Sequence, residues 1–198
     1  MYAEHQPLLS RLGRSGPEGF KRIAIFALCT IRIQLHRAAF DYPRAVKGEP
    51  CVAIFGAKHF GIAELNERAV DYYECCERAY HDLEGEELED ELLSIISTIP
   101  CIGPAKGGFI AQMIYGVSGC LDGHNLERFG IPERAFRMDR RLRPTRRSAV
   151  IRDYNRVCRK LGGTEALWDS WCAYLADRDA NYHDAEHVSR LHLTPLQT

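Results

Sequence analysis

The 198-residue chain lacks any long hydrophobic run. Its longest apolar stretch extends from Ile23 to Ile31 between two arginines. That length falls well short of the roughly 20 residues that a membrane-spanning helix needs. The N-terminal segment MYAEHQPLLSRLGRSG is too polar for a secretory signal peptide. These absences predict a soluble intracellular protein of the cytoplasm, with no membrane partner.

The eight cysteines lack the C-x-x-C spacing of metal sites and any regular disulfide pattern. We therefore expect reduced thiols and no metal or other cofactor. Residues 183–187 (HDAEH) match the H-x-x-E-H pattern of zinc peptidases. No distant third ligand is obvious, and the segment reads better as a capped C-terminal helix.

A strong net charge is also missing, since the formal charge is −1 at pH 7. The charges are nevertheless unevenly distributed. Residues 128–160 contain twelve basic and three acidic side chains, whereas residues 71–91 contain ten acidic side chains and one arginine. The basic segment predicts contacts with phosphates, and Arg140, Arg143, Arg146 and Arg147 are its main candidates. The alternative is a helix face that pairs with the acidic segment.

Hydrophobic residues recur at helical spacing along most of the chain. The pattern predicts an all-α protein that forms a single unit over residues 1–198, with two helical lobes. We expect helices at about 18–38, 61–82, 86–97, 105–115, 123–129, 132–141, 145–161, 164–177 and 184–191. Residues 51–55 are apolar and could form a short strand.

A short glycine-proline hairpin connects two of these helices within residues 91–130. Gly103 is expected to supply a positive φ, and Pro104 a fixed φ at the start of the next helix. Unpaired N–H groups in the first turn of a helix form an anion site that suits a phosphate. We assign DNA binding to Ile102, Gly103, Ala105, Lys106 and Gly107.

The segments IPCIG at 99–103 and LDGH at 121–124 resemble the hairpin and the catalytic-aspartate element of the helix-hairpin-helix DNA glycosylase superfamily. The resemblance covers about 32 residues and implies an all-α glycosylase fold that binds double-stranded DNA. It also implies that Asp122 stabilises positive charge on the sugar and orients a water molecule. From spacing alone, Asp122 is an N-cap, and the two roles are compatible.

Two positions depart from the family pattern. Bifunctional members carry a Schiff-base lysine where this chain has Ala105. Lys106 follows one residue later, a rotation of roughly 100° on a helix, so we expect it to face phosphate or solvent. Gly123 replaces a threonine-like residue and is expected to loosen the helix start beside Asp122. The absence of the lysine at position 105 favours water over a lysine as the nucleophile.

Four further side chains are candidates for a substrate pocket, namely Gln112, Tyr115, His124 and Asn125. The favoured function is a monofunctional DNA N-glycosylase that acts on a base turned out of the duplex. Two alternatives stay open. One is a base-modifying transferase of the same fold, as some phage relatives are thought to be, acting on modified thymines. The other is a non-catalytic module that binds DNA or a protein.

Overall fold

Helices account for all of the regular structure in the part of the chain that the computed structural model describes, residues 2–31, 35–54, 56–132, 134–138 and 142–180. The all-α prediction is confirmed. The helices are α1 (Tyr2–Gly13), α2 (Pro17–Cys29), α3 (Leu35–Val46), α4 (Lys58–Asp82), α5 (Gly85–Ile96), α6 (Pro104–Tyr115), α7 (Gly123–Arg128), α8 (Pro144–Lys160) and α9 (Gly163–Ala180).

Three of the helices start at a proline in the first position. Pro17, Pro104 and Pro144 open α2, α6 and α8. Proline suits this position because its fixed φ is helical and its missing N–H has no intrahelical partner there. The sequence therefore sets these boundaries locally.

The hydrophobic core has two clusters. The larger one is built mainly from α2, α4, α5 and α6, and buries Phe20, Leu28, Leu92 and Phe109. The smaller one joins α7, α8 and α9 through Leu126, Tyr154 and Leu167. Since α5 contributes to both clusters through Leu92 and Leu93, it connects the acidic segment, the hairpin and the basic helix.

Several predicted elements differ from the structure. The helix expected at 18–38 ends at Cys29, and Thr30 is its C-cap residue, whose N–H still donates to Phe26 O. No strand forms within 51–54, since the N–H groups of Val52, Ala53 and Ile54 donate to the carboxylate of Asp41 instead of to a neighbouring strand.

The helix expected at 132–141 is also wrong over residues 132 and 134–138, where 134–136 form a turn and the others are irregular. Phe136 packs edge-on against Tyr154 at 5.2 Å between ring centroids, so tertiary packing outweighs the local pattern. Helix α1 was not predicted, and the predicted helix at 184–191 lies outside the described residues. Within the described ranges, no helix combines the length and apolar character that crossing a bilayer requires.

Candidate nucleic-acid interface and acidic site

The hairpin between α5 and α6 contains a left-handed residue, but it is not Gly103. Cys101 has a φ of 67°, whereas Gly103 is extended with a φ of −103°. The expected positive φ at Gly103 is therefore wrong. The turn closes earlier, where the N–H of Ile102 donates to Ile99 O at 3.1 Å. Ile102 itself is buried and anchors the hairpin in the core.

The first turn of α6 follows this hairpin directly and has no side-chain cap. Gly103 is the N-cap residue, and the N–H of Gly107 donates to its carbonyl at 2.8 Å. The N–H groups of Ala105 and Lys106 lie ahead of that first intrahelical bond, at the positive end of the helix dipole. The backbone arrangement that a phosphate needs is present.

Two glycines fix the hairpin against the helices below it. A Cβ at Gly61 of α4 would lie 2.3 Å from the carbonyl oxygen of Pro100. A Cβ at Gly107 would lie 2.7 Å from a methyl group of Leu93 on α5. Since a backbone oxygen cannot rotate away, Gly61 needs to be glycine, whereas the leucine side chain next to Gly107 could shift to admit a methyl group.

The start of α8 lies beside the hairpin. Arg147 is half-buried and donates to Ser97 O, at the end of α5, at 3.3 Å. Arg143 and Arg146 are exposed, and within the described residues neither forms an ion pair with a carboxylate. Arg140 lies outside the described residues. The structure therefore brings three of the four predicted arginines to the hairpin end of the molecule.

Asp122 is the N-cap of α7, as its position predicted. Its Oδ1 accepts a hydrogen bond from the Asn125 N–H at 3.1 Å, and the side chain is half-buried. Its second oxygen, Oδ2, accepts from no donor among the described residues. One oxygen holds the helix start and the other is free for chemistry.

The segment that leads to Asp122 runs against α6. A Cβ at Gly108 of α6 would lie 2.2 Å from the carbonyl oxygen of Gly119. Gln112 accepts the N–H of Cys120 at 3.0 Å through Oε1. Burial raises the pKa of the Cys120 thiol to about 12, the Asp122 carboxylate raises it as well, and the Lys106 ammonium lowers it. The backbone before Asp122 therefore packs against α6 at Gly108 and Gln112.

Tyr154 of α8 holds the same segment and was not singled out from the sequence. Its hydroxyl donates to Gly119 O at 2.6 Å and accepts the Leu121 N–H at 2.9 Å. The residue is fully buried, and burial raises the pKa of its hydroxyl. The partners lie 33 and 35 residues away, so no local sequence signal identifies this anchor.

The two predicted pocket amides are fully buried and bind the backbone. Gln112 Nε2 donates to Thr164 O at 2.7 Å. Asn125 Nδ2 donates to Cys120 O at 2.7 Å, and its Oδ1 accepts from the Ser170 hydroxyl, also at 2.7 Å. Both amides hold the loop before Asp122 in place.

The other two predicted pocket residues lie apart from each other. His124 is half-buried and stacks on Tyr174 of α9 with ring centroids 3.8 Å apart. Tyr115 is buried at the far end of α6, 5.4 Å from the Tyr80 ring, and burial raises the pKa of its hydroxyl. Only His124 lies next to Asp122.

Lys106 does not project from the hairpin towards solvent as its position on the helix suggested. Its side chain is half-buried, and Nζ donates to Thr30 Oγ1 of α2 at 3.3 Å. The ammonium also lies 5.1 Å from the centroid of the Phe109 ring. Ala105 has no side chain that could act as a nucleophile.

Two surface grooves, of about 360 and 280 Å³, lie away from Asp122. They share Leu83 and Glu91 and run along α4, α5 and α8 at the acidic end of the molecule. Within the described residues, no group of three metal-ligating side chains comes together. The predicted H-x-x-E-H residues at 183–187 lie outside that part of the chain.

The arrangement combines an uncapped helix N-terminus, exposed cations and one carboxylate with a free oxygen. No family model matches the chain, and neither a curated protein nor a solved structure does.

Proposed function

We propose that this chain binds double-stranded DNA and hydrolyses the N-glycosidic bond of a base turned out of the duplex. The single observation that carries the proposal is the contact between two elements. The segment that leads to Asp122 packs against α6 at Gly108 and Gln112, through Gly119 and Cys120, and the first turn of α6 is the anion site that we propose. We therefore expect a strand held at the hairpin to pass close to the free oxygen of Asp122.

The DNA contact is supported by geometry and charge together. The uncapped amides of α6 suit one phosphate of a sugar-phosphate strand. The exposed guanidinium groups of Arg143 and Arg146 suit neighbouring phosphates, because arginine binds phosphate oxygens in a bidentate manner. Phosphate contacts of this kind position a duplex without reading its sequence.

The chemistry is supported by the surroundings of Asp122. Breaking the bond between the sugar and the base builds positive charge at C1′, which a nearby carboxylate stabilises. The same carboxylate accepts a proton from the attacking water. Because Ala105 replaces the family lysine, we expect no efficient covalent adduct with an abasic duplex in the presence of borohydride.

The substitution Asp122→Asn tests the chemical role cleanly. Asparagine caps helices about as well as aspartate, so the free energy of unfolding should change by less than about 0.5 kcal/mol. Base release should fall by about a hundredfold or more, because the negative charge is lost. The assay measures single-turnover release of free base from duplexes with uracil, hypoxanthine, alkylated purines or 5-hydroxymethyluracil.

The matched control is Glu127→Gln, an exposed acidic residue of the same helix. Equal rates for Asp122→Asn and the wild type would contradict the catalytic role. Mass spectrometry of the nucleosides in the treated DNA distinguishes the alternatives. An altered base that stays attached indicates a transferase, whereas binding with neither product indicates a non-catalytic module.

A further inference from the structure

The outer surface of α5 is a ridge between two grooves. The larger groove, of about 360 Å³, lies between α5 and α8, and the smaller one, of about 280 Å³, lies between α5 and α4. Leu83, where α4 meets α5, and Glu91, in the middle of α5, line both grooves. Glu91 therefore lies on the crest of the ridge. Ridges and grooves of this kind are the surfaces through which helices pack on one another.

The larger groove carries opposite charges on its two sides. Glu87 and Glu91 line it from α5, and Arg152 lines it from α8. All three side chains are exposed, and among the described residues none of them forms an ion pair or a side-chain hydrogen bond. Buried Ile151 and half-buried Leu83 add apolar surface to the lining. Opposite charges thus line one space without pairing across it.

Other acidic side chains of α5 already have partners on α8. Glu89 pairs with Arg159 at 2.5 Å, and Asp90 Oδ1 accepts from Asn155 Nδ2 at 2.8 Å. Glu87 and Glu91 have no such partner, although they are four residues apart on one helix, where two like charges destabilise each other. The carboxylates left without a cation are therefore those on the outer surface of the ridge.

We propose that two copies of this chain form a symmetric dimer in which the α5 ridge of each copy packs into the groove between α5 and α8 of the other. A two-fold axis places Glu87 and Glu91 of one copy against Arg152 of the other, and the reverse contact forms at the same time. Arginine suits this contact because its head binds a carboxylate in a bidentate manner and its apolar stem covers hydrophobic surface. The dimer needs no DNA and goes beyond the proposed function.

Charge complementarity favours a second copy over a partner of one charge. A basic partner would be attracted by the α5 side of the groove and repelled by Arg152, and an acidic partner would meet the reverse. A second copy presents both signs, and the two-fold axis brings each sign against its opposite. The net charge of −1 at pH 7 adds no strong repulsion between copies.

The test exchanges the charges and measures the oligomeric state of the full chain by sedimentation velocity. The wild type should form dimers whose fraction rises with protein concentration and falls with added salt. Glu91→Arg places two arginines against each other in the dimer, and Arg152→Glu places two glutamates against each other. Each variant alone should therefore show a dissociation constant at least about tenfold larger than the wild type.

An equimolar mixture of Glu91→Arg and Arg152→Glu is the critical arm. In a mixed pair, the introduced arginine of one chain faces the introduced glutamate of the other. The native Arg152 of the first chain faces the native Glu91 of the second. Opposite charges meet at both contacts, so the mixture should form heterodimers about as tightly as the wild type forms homodimers. A variant that had failed to fold would not regain association on mixing.

Three matched controls test the location of the contact. Glu67→Arg and Arg11→Glu make the same charge changes at exposed positions that line neither groove. Arg78→Glu makes the change on the other side of the ridge, in the groove between α4 and α5. All three should leave the dissociation constant within about threefold of the wild type, because exposed charges that lack a partner contribute little. A larger loss in Arg78→Glu than in Arg152→Glu would overturn the assignment to the larger groove.

Three other results would overturn the dimer. One is a wild type that stays monomeric at every concentration, even at low salt. Another is a dimer that neither Glu91→Arg nor Arg152→Glu weakens, because its interface would lie elsewhere. The third is weakening in both variants without recovery in the mixture. Base release and DNA affinity play no part in these measurements, so failure of the proposed function leaves the dimer unaffected.

Discussion

The two ends of helix α8 carry arginines with opposite surroundings. At its C-terminal end, Arg159 pairs with Glu86 at 3.1 Å and with Glu89 at 2.5 Å, both on α5. At its N-terminal end, Arg143 and Arg146 are exposed beside the hairpin, and within the described residues no carboxylate pairs with them. The same residue type therefore stabilises the fold at one end and is available to a partner at the other.

This difference shows why a run of basic residues is a poor measure of a binding surface. Neutralised arginines contribute little to the attraction of phosphate, whereas exposed ones release counterions when they bind it. The acidic helix α5 removes part of the basic segment from the proposed DNA contact. It also keeps an acidic surface away from the hairpin, at the other end of the α5–α8 pair.

The largest expected effect comes from reversing the charge at the hairpin end. The double substitution Arg143→Glu and Arg146→Glu should weaken binding to a short duplex by about a hundredfold, and the dependence of log Kd on log salt should fall by about two units. Fluorescence anisotropy at several salt concentrations measures both quantities.

The matched control reverses two exposed charges at the far end of the same helix, Arg156→Glu and Lys160→Glu. The overall charge changes equally, but we expect affinity to change less than about threefold, because charges beyond a Debye length of about 10 Å are largely screened. Equal losses of DNA affinity in the two variants would mean that net charge alone governs binding. The two ends of α8 would then not differ in their contribution.

The next effect concerns the support of the hairpin. Gly61→Ala places a methyl group 2.3 Å from Pro100 O, which belongs to the backbone and cannot rotate away. We expect the free energy of unfolding to fall by about 2 kcal/mol, as for other overpacked sites. DNA affinity should fall too, because the hairpin moves from α4. An unchanged urea midpoint for Gly61→Ala would show that the hairpin is not held against α4 at Gly61.

The acidic end should show a stability effect that depends on pH. Burial raises the pKa of Glu89, and the hydrogen bond from Arg159 lowers it. Because the folded pKa is above the unfolded one, Glu89 favours the folded state when protonated, and this contribution is lost as the pH rises through the folded pKa. Arg159→Met removes the partner of the ionised form, so the free energy of unfolding should fall by about 1 kcal/mol at pH 7.

The same variant should lose much less stability near pH 4, where Glu89 is largely protonated. Urea titrations at the two pH values measure this difference. DNA affinity should stay within about twofold of the wild type, since a paired arginine contributes little to phosphate binding. A strong loss of DNA affinity in Arg159→Met would show that the C-terminal end of α8 also contributes to DNA binding.

Local signals account for the parts of the fold that the sequence predicted well. Pro104 and Pro144 set the starts of α6 and α8 within one residue of the prediction, and α9 starts at Gly163, one residue before its predicted start. Asp122 could be identified as an N-cap because its partner lies three residues away. In each case the determining residues are neighbours in the chain.

Long-range contacts account for the parts that the sequence could not predict. The hydroxyl of Tyr154 holds Gly119 and Leu121 from another helix, and Arg147 reaches Ser97 across 50 residues. The direction of Lys106 depends on Thr30, 76 residues away. The position of the hairpin in sequence was clear, but the left-handed residue moved to Cys101 because tertiary packing fixed the turn.

The smallest expected effect comes from a substitution beside Asp122, and it is opposite in sign to the one at the hairpin. Gly123 is in the first position of α7, its φ is not positive, and a Cβ there meets nothing within 4 Å. Alanine fits a helix better than glycine does, so Gly123→Ala should raise the free energy of unfolding by about 0.5 kcal/mol. The same substitution at Gly61 should lower it, which makes each variant the control of the other.

The effect of Gly123→Ala on base release decides whether flexibility at Asp122 matters. The capping bond from the Asn125 N–H already fixes Asp122 through Oδ1, so a stiffer residue after it should leave the single-turnover rate within about twofold. A rate that fell tenfold while stability rose would show that Asp122 must leave its capping position to reach the sugar. In that case the carboxylate would cap the helix and take part in the reaction at different times. An unchanged rate means that it does both at the same time.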